Sequence, residues 1–107
     1  MRQVNLTGLP PVPAHVHQVE KLTGHLNARM EELIEDGLTV SHTLQNSVGR
    51  VMIRFPNEES GRARKRLADY GIASTVEENQ VIFTVTALVS HEDLDYVQGA
   101  VMEILYD

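Results

Sequence analysis

The chain has 107 residues, a formal net charge of −6 and no cysteine. This length fits one domain with one hydrophobic core, because such a chain buries about two-thirds of the surface that it exposes when unfolded. The acidic balance disfavours binding to nucleic-acid phosphates and to anionic membranes, and the lack of cysteine excludes disulfides and thiolate metal sites. Since the N-terminus has no apolar signal segment and no apolar run reaches membrane-spanning length, we expect a cytoplasmic protein.

The segment 1–13 contains three prolines, which lack a backbone donor and bias the preceding residue towards extended conformations. We expect an N-terminal arm here, followed by a single domain over residues 14–107. The apolar residues of the arm, Val4, Leu6 and Leu9, alternate loosely. They are expected to pack on a neighbouring element or on a partner chain.

A first helix is predicted over residues 14–36, because its apolar residues recur at steps of three and four and define one face. Gly37 stands where a left-handed residue ends a helix. Gly24 lies in the middle, where glycine costs about 1 kcal/mol relative to alanine, so a kink or a close packing contact is expected there. The apolar positions are Val16, Val19, Leu22, Leu26, Met30, Leu33 and Ile34.

A β-hairpin is predicted next, with non-adjacent strands as the alternative. Residues 38–44 alternate strictly, residues 45–47 form a turn, and residues 48–55 form the second strand. This second strand places Val51, Ile53 and Phe55 on one face, and Arg50, Met52 and Arg54 on the other.

The remaining elements are a helix, a strand pair and a closing helix. The middle helix is predicted over 57–70, with Asn57 as its N-cap and Gly71 directly after its end. The strand pair is expected over 72–76 and 80–88.

The closing helix is predicted to begin after Ser90, because Asp93 can complete a capping box with it and Val89 can pack against Leu94. Its buried stripe consists of Leu94, Val97, Val101, Ile104 and Leu105. The element order is then α-β-β-α-β-β-α. We therefore predict an α+β two-layer sandwich, with one mostly antiparallel sheet and the helices on one face.

The last third of the chain resembles a known family. A helix ending at Tyr70 and Gly71, the strand 81–86 and the capped start of a helix at 89–95 resemble the end of the small C-terminal domain of fold-type I pyridoxal-phosphate enzymes, most closely threonine aldolases. The hairpin is also similar to the C-terminal hairpin of group II amino-acid decarboxylases, another branch of that superfamily.

The resemblance implies a fold more than an activity. In such enzymes the large domain supplies the Schiff-base lysine, an aspartate and the phosphate site, and nothing of that domain is present here. The two lysines, Lys21 and Lys65, stand beside no glycine-rich phosphate turn. The small domain usually gives one arginine to the substrate carboxylate, and this chain has Ile82 at the matching position. We therefore expect no catalytic residue, no bound cofactor and no catalysis by the chain on its own.

Arg50 and Arg54 are the candidate ligand-binding residues. They project from one strand face and could hold a carboxylate or a phosphate through forked donors. The alternative is a solvent-facing edge strand whose charges block pairing with other chains.

The candidate docking patch is a basic run on the middle helix. As an alternative, the run is a solvated face in which Glu58 pairs with Arg62 at i,i+4 spacing. No interleaved aromatic residues support RNA binding. The run consists of Arg62, Arg64, Lys65 and Arg66.

No metal site is expected from the five histidines, since a site needs three or four convergent ligands and His17 and His25 lie two helical turns apart. Surface or capping roles are favoured. The histidines are His15, His17, His25, His42 and His91.

Three functions remain open for this chain. The first is an accessory or regulatory subunit that docks onto a separately encoded protein through its sheet and the arm. The second is a ferredoxin-like or ACT-like domain that binds a small ligand as a homodimer, with Arg50 and Arg54 near the ligand. The third is an adaptor or inhibitor. Each predicts association, because a sandwich without its usual large domain should expose an apolar patch.

Overall fold

A computed structural model describes residues 2–8, 16–45 and 48–107 of the chain. A four-stranded antiparallel sheet has the strand order β2-β3-β6-β5, and a small parallel sheet pairs β1 with β4. The helices pack against the sheet, so the predicted α+β fold is confirmed. The elements are β1 (Val4–Asn5), α1 (Val16–Glu31), β2 (Thr39–Gln45), β3 (Val48–Arg54), α2 (Ser60–Asp69), β4 (Ile72–Ala73), β5 (Thr75–Glu77), β6 (Gln80–Val85) and α3 (His91–Leu105).

The alternation of β3 decides which face of the sheet carries the core. Val51 and Ile53 pair with Phe83 and Val81 of β6, and all four side chains are buried. We call this side of the sheet the inner face. α1 contacts β2, β3 and β6, α2 contacts β5 and β6, and α3 packs against both helices. The predicted orientation of β3 is confirmed.

A helix approaches the sheet closely at Gly49 of β3. A Cβ atom at this position would lie 1.9 Å from Oγ1 of Thr23 in α1. The Thr23 hydroxyl donates to the carbonyl of Val19 at 2.7 Å, so its side chain is held in place. The close contact expected at Gly24 is wrong, because a Cβ there would meet nothing within 4 Å. The glycine that allows close packing lies on the strand, and Gly24 faces open space.

The first helix ends earlier than predicted. α1 stops at Glu31, and a 3₁₀ turn over Ile34–Asp36 follows it. Gly37 has the predicted left-handed conformation, with φ +105° and its N–H donating to the carbonyl of Ile34. Ile34 is 48% exposed, so its place in the buried stripe was wrong. The predicted start of the helix, at 14 and 15, and turn residues 46 and 47 lie outside the described residues.

The middle helix begins later than predicted. α2 starts at Ser60 with Glu59 in the N-cap position, so the assignment of Asn57 as N-cap is wrong. The buried hydroxyl of Ser60 donates to the carbonyl of Asn79 at 2.7 Å, which ties the helix start to the turn between β5 and β6. This long-range bond fixes the start, and a local sequence signal cannot reveal it.

The segment 2–8 packs on the same chain. The N–H of Val4 donates to the carbonyl of Gly71 at 2.9 Å. The N–H of Leu6 donates to the carbonyl of Ala73 at 2.8 Å, and the carbonyl of Leu6 accepts from the N–H of Thr84 at 2.9 Å. Both Val4 and Leu6 are buried in the core. These residues therefore link the small parallel sheet to β6.

The closing helix has the predicted N-terminal cap. The Ser90 hydroxyl accepts from the N–H of Asp93 at 3.1 Å, and the Asp93 carboxylate accepts from the N–H of Ser90 at 2.9 Å. Val89 and Leu94 both lie in the core cluster. β6 ends at Val85, three residues before the predicted end of its strand.

We expect opposite effects from alanine at two glycines. Gly49→Ala should lower the free energy of unfolding by about 1–3 kcal/mol, because the new methyl group clashes with Thr23 in a packed contact. Gly24→Ala, the matched control, should raise it by about 0.5–1 kcal/mol, because alanine has the higher helix propensity and meets no neighbour. Denaturant unfolding measures both, and a shift of the two variants in the same direction would contradict the assigned packing.

The capping box predicts a pH dependence. Partial burial acts to raise the pKa of Asp93, but hydrogen bonds with Ser90 and from the Arg2 guanidinium outweigh it, and this pKa lies below its ordinary value. A depressed carboxyl pKa stabilises the fold above the unfolded pKa, and this stability is lost as pH falls through the folded pKa. Asp93→Asn should therefore lose less stability than the wild type between about pH 5 and about pH 2. An unchanged pH profile of unfolding would show that Asp93 does not contribute.

Candidate functional site

The candidate site lies on the outer face of the four-stranded sheet, which we define as the side opposite Val51 and Ile53. In the described chain no helix covers this surface. Its β2 and β3 positions are exposed or half-buried, whereas Ile82 and Thr84 of β6 are buried, with Gly8 of the N-terminal segment close to the Thr84 side chain. The strands β2, β3 and β6 bring together on this face, by register, Ser41, Thr43, Arg50, Met52, Arg54, Gln80, Ile82 and Thr84.

Arg50 stands in the middle of the outer face. β3 lies between β2 and β6, and Arg50 is flanked by Thr43 on one strand and Thr84 on the other. The interpretation of β3 as an edge strand is therefore wrong, since both of its sides are paired. Arg50 is exposed and makes no ion pair within 4 Å with a carboxylate of the described residues. Its guanidinium is thus available for an anionic group from outside the chain.

Two shallow hollows flank Arg50. The larger has a volume of about 220 Å³ and has an apolar floor made by Met52 and Ile82. The smaller has a volume of about 170 Å³ and shares Arg50 and Thr43 with the larger one. The remaining lining residues are Glu77, Glu78 and Gln80 in the larger hollow, and Gln45 and Val48 in the smaller.

Arg54 has a different environment from Arg50. Its Nε donates to the carbonyl of Asn79 at 3.1 Å, and its Nη2 lies 3.3 Å from the carbonyl of Glu78. Glu78 and Asn79 have positive φ angles of 51° and 61°, so Arg54 holds a tight turn of unusual backbone conformation. Arg54 lines neither hollow. Of the two arginines, only Arg50 is directed into the candidate site.

The basic run of α2 divides into two parts. Arg66 pairs with Glu58 at 2.8 Å and with Asp107, and the hydrogen bond that it donates to Glu58 is the main cause that raises the pKa of Arg66. Arg62 lies 3.9 Å from Glu58, at the i,i+4 spacing that the sequence indicates. Arg64 is half-buried and Lys65 is exposed.

Sequence reasoning missed a charged cluster between α1 and α3. Nε2 of His25 lies 2.8 Å from the Asp95 carboxylate, and Nε of Arg29 lies 3.2 Å from the same oxygen. The hydrogen bond with His25 is the main cause that lowers the pKa of Asp95. The His91 ring stands edge-on to the His25 ring, with 4.7 Å between centroids. The spacing of His25 and Arg29 on one helix face was the available signal, but the helix opposite them could not be inferred from it.

The described residues contain no group of three or more histidine, aspartate or glutamate side chains that could hold a metal ion. They also do not fit the pyridoxal-phosphate group of the resembling enzymes. Lys21 and Lys65 are exposed on helices, and neither lines either of the two hollows beside Arg50. At the position of the expected substrate arginine, Ile82 forms part of the apolar floor.

The comparisons with known proteins support the fold. No protein-family profile and no curated protein matches this chain. A solved structure named "NifS-like protein" superimposes with a TM-score of 0.60 at 16% sequence identity. The match covers 87% of this chain and 30% of the NifS-like chain, so this chain spans about a third of that protein's length. At this identity the likeness shows the fold alone.

Within the described residues, no helix has the length and apolar character needed to cross a bilayer.

Proposed function

We propose that this chain is a non-catalytic accessory domain with the fold of a small domain from pyridoxal-phosphate-dependent enzymes, and that it docks onto another protein through its outer face. The observation that best supports this proposal is the position of Arg50 at the centre of a sheet face that no described helix covers. Arg50 is exposed, and it has no ion-pair partner among the described residues. The NifS-like neighbour supports the comparison with one part of a larger protein, because the match covers 30% of that chain.

The composition of the outer face suits a protein partner. Arginine is among the residues that contribute most to binding at interfaces, above all where it is surrounded by apolar groups that exclude water. Met52 is half-buried and Ile82 is buried beside Arg50 on this face. A partner that presents a carboxylate to Arg50 and an apolar side chain to Met52 would satisfy both. The role is therefore binding, with regulation of the partner as its expected consequence.

We expect a charge reversal at Arg50 to remove the partner. The tagged protein is purified from its source cells, and co-purifying chains are quantified by mass spectrometry. Arg50→Glu should reduce the recovery of the partner more than tenfold, since repulsion across an interface costs several kcal/mol. Lys21→Glu is the control, because it makes the same charge change at an exposed position of α1.

A third variant separates the outer face from the basic run of α2. If Arg64→Glu together with Lys65→Glu removes the partner and Arg50→Glu does not, the docking surface is α2 and the proposal is wrong. Equal recovery with every variant would show that neither surface docks. Circular dichroism of each variant checks that its fold is kept.

A small ligand is the second candidate, and the larger hollow favours it. Arg50 and the carboxylates Glu77 and Glu78 line the same hollow above an apolar floor. Groups of opposite charge suit a zwitterion, and about 220 Å³ is small beside ordinary ligand pockets, so an amino acid is the matching class.

A thermal-shift series over free amino acids tests the ligand. Binding should raise the unfolding midpoint with concentration, by mass action. Arg50→Gln should abolish the ligand-induced rise in the unfolding midpoint. Arg54→Gln should keep this rise when each variant is compared with the same variant without ligand. No shift with any amino acid at millimolar concentration would exclude this candidate and leave protein docking.

Added pyridoxal phosphate provides a separate test of the non-catalytic assignment. We expect no absorbance band beyond that of the free compound, because both lysines are exposed on helices and neither lines either of the two hollows beside Arg50. A new absorbance band would overturn the assignment if borohydride reduction attached the compound covalently to the protein and if Lys21→Arg or Lys65→Arg abolished the band.

A further inference from the structure

The strand β2 is an edge of the four-stranded sheet, and its seven residues pair with β3 on one side only. In the part of the chain that the structure describes, no strand pairs with its other side. Six of its residues are exposed and Val40 is half-buried. The backbone N–H and C=O groups along the free side are therefore a template for another strand.

β2 lacks the features by which proteins block such pairing. Edges are commonly protected by charged side chains, proline, bulges or short length. β2 contains no aspartate, glutamate, lysine, arginine or proline, and its register with β3 runs without interruption from Thr39 to Gln45. The opposite edge, β5, has only three residues and ends at Glu77. The two edges of the sheet thus differ in their capacity to pair.

The residue pattern of β2 is symmetric about His42. Polar residues occupy every second position, and the apolar residues Val40 and Leu44 lie at equal distances on either side of His42. In an antiparallel pair of two such strands centred on His42, Val40 of one strand faces Leu44 of the other. Thr43 then faces Ser41, and Gln45 faces Thr39. Residues directly opposite each other lie on one face of a sheet, so this register matches apolar to apolar and polar to polar.

We propose that β2 pairs with β2 of a second copy of this chain, antiparallel and around a two-fold axis at His42. An isologous contact of this kind uses the same surface twice, as closed dimers do. Shifting the centre by one residue to either side leaves fewer residues of β2 paired and removes the match of Val40 with Leu44. Leu44, which is 42% exposed, gains an apolar neighbour in the dimer.

The pairing has a consequence for the rest of the molecule. A two-fold axis perpendicular to the sheet keeps the inner faces of both copies on the same side, so the dimer has one continuous sheet of eight strands. The two outer faces also become continuous and carry two Arg50 side chains. This dimer does not depend on the function proposed above, because it uses the edge of the sheet and not its outer face.

Sedimentation over a range of concentrations tests the dimer with a matched pair of variants. Wild type should be dimeric at high concentration, and Leu44→Lys should raise its dissociation constant at least tenfold, because a lysine replaces the apolar pair with Val40. Leu88→Lys is the control, because Leu88 is 77% exposed and lies outside β2. A monomer at every concentration up to about the millimolar range, which is the weak end of specific binding, would overturn the proposal. Equal dissociation constants for the two lysine variants would overturn it as well.

A disulfide test fixes the register, since the chain has no cysteine of its own. His42→Cys should form an intermolecular disulfide rapidly under mild oxidation, because opposed residues in a strand pair lie about 4.5–5.5 Å apart. Thr39→Cys is the control, and its two copies should lie about 20 Å apart at 3.4 Å per residue. Faster cross-linking at position 39 than at position 42 would reject this pairing even if a dimer exists.

Discussion

The contact between α1 and β3 at Gly49 sets the spacing of the two layers of this fold. Thr23 rests where a side chain on the strand would otherwise stand, and its own hydroxyl is bound to the helix backbone. Because the helix approaches so closely, Leu22 and Leu26 of the same helix are buried in one cluster with Val51 and Ile53. The helices of the described chain pack on the inner face, so no described helix covers the outer face of the sheet.

The N-terminal segment completes the second part of the core. Leu6 is bonded through its N–H to β4 and through its carbonyl to β6, so one residue joins the two sheets. Its side chain is buried together with Ile72 and Leu67. Residues far apart in sequence therefore form one unit. Loss of this segment would expose the side of the core where α2 meets the strands.

Local patterns in the sequence were sufficient for several elements. The three- and four-residue spacing of α1, the alternation around Val51 and the capping box at Ser90 each depend on residues close together in the chain. Their physical causes are local as well. They are the periodicity of the helix, the pleating of the strand, and the backbone N–H groups at a helix start that have no partner within the helix. The left-handed Gly37 belongs to the same group.

The features that escaped prediction depend on long-range contacts. The start of α2 is fixed by the bond from Ser60 to Asn79, and the central position of β3 depends on its pairing with β6. The cluster around Asp95 joins two helices that lie far apart in the sequence. For the candidate site, the sequence pointed to Arg50 and Arg54 equally. The two arginines are distinguished only by the position of the β5–β6 turn, whose backbone carbonyl groups accept hydrogen bonds from the Arg54 guanidinium.

An open outer face is the premise of both candidate functions. Single cysteines along β3, in a chain that has none, report it directly through their rates of labelling by a maleimide. Arg50→Cys and Met52→Cys should react quickly in the folded protein, because their side chains lie on the outer face. Val51→Cys and Ile53→Cys should react only as fast as local or global unfolding exposes the inner face. Equal protection at all four positions, or faster reaction at 51 and 53, would contradict the account.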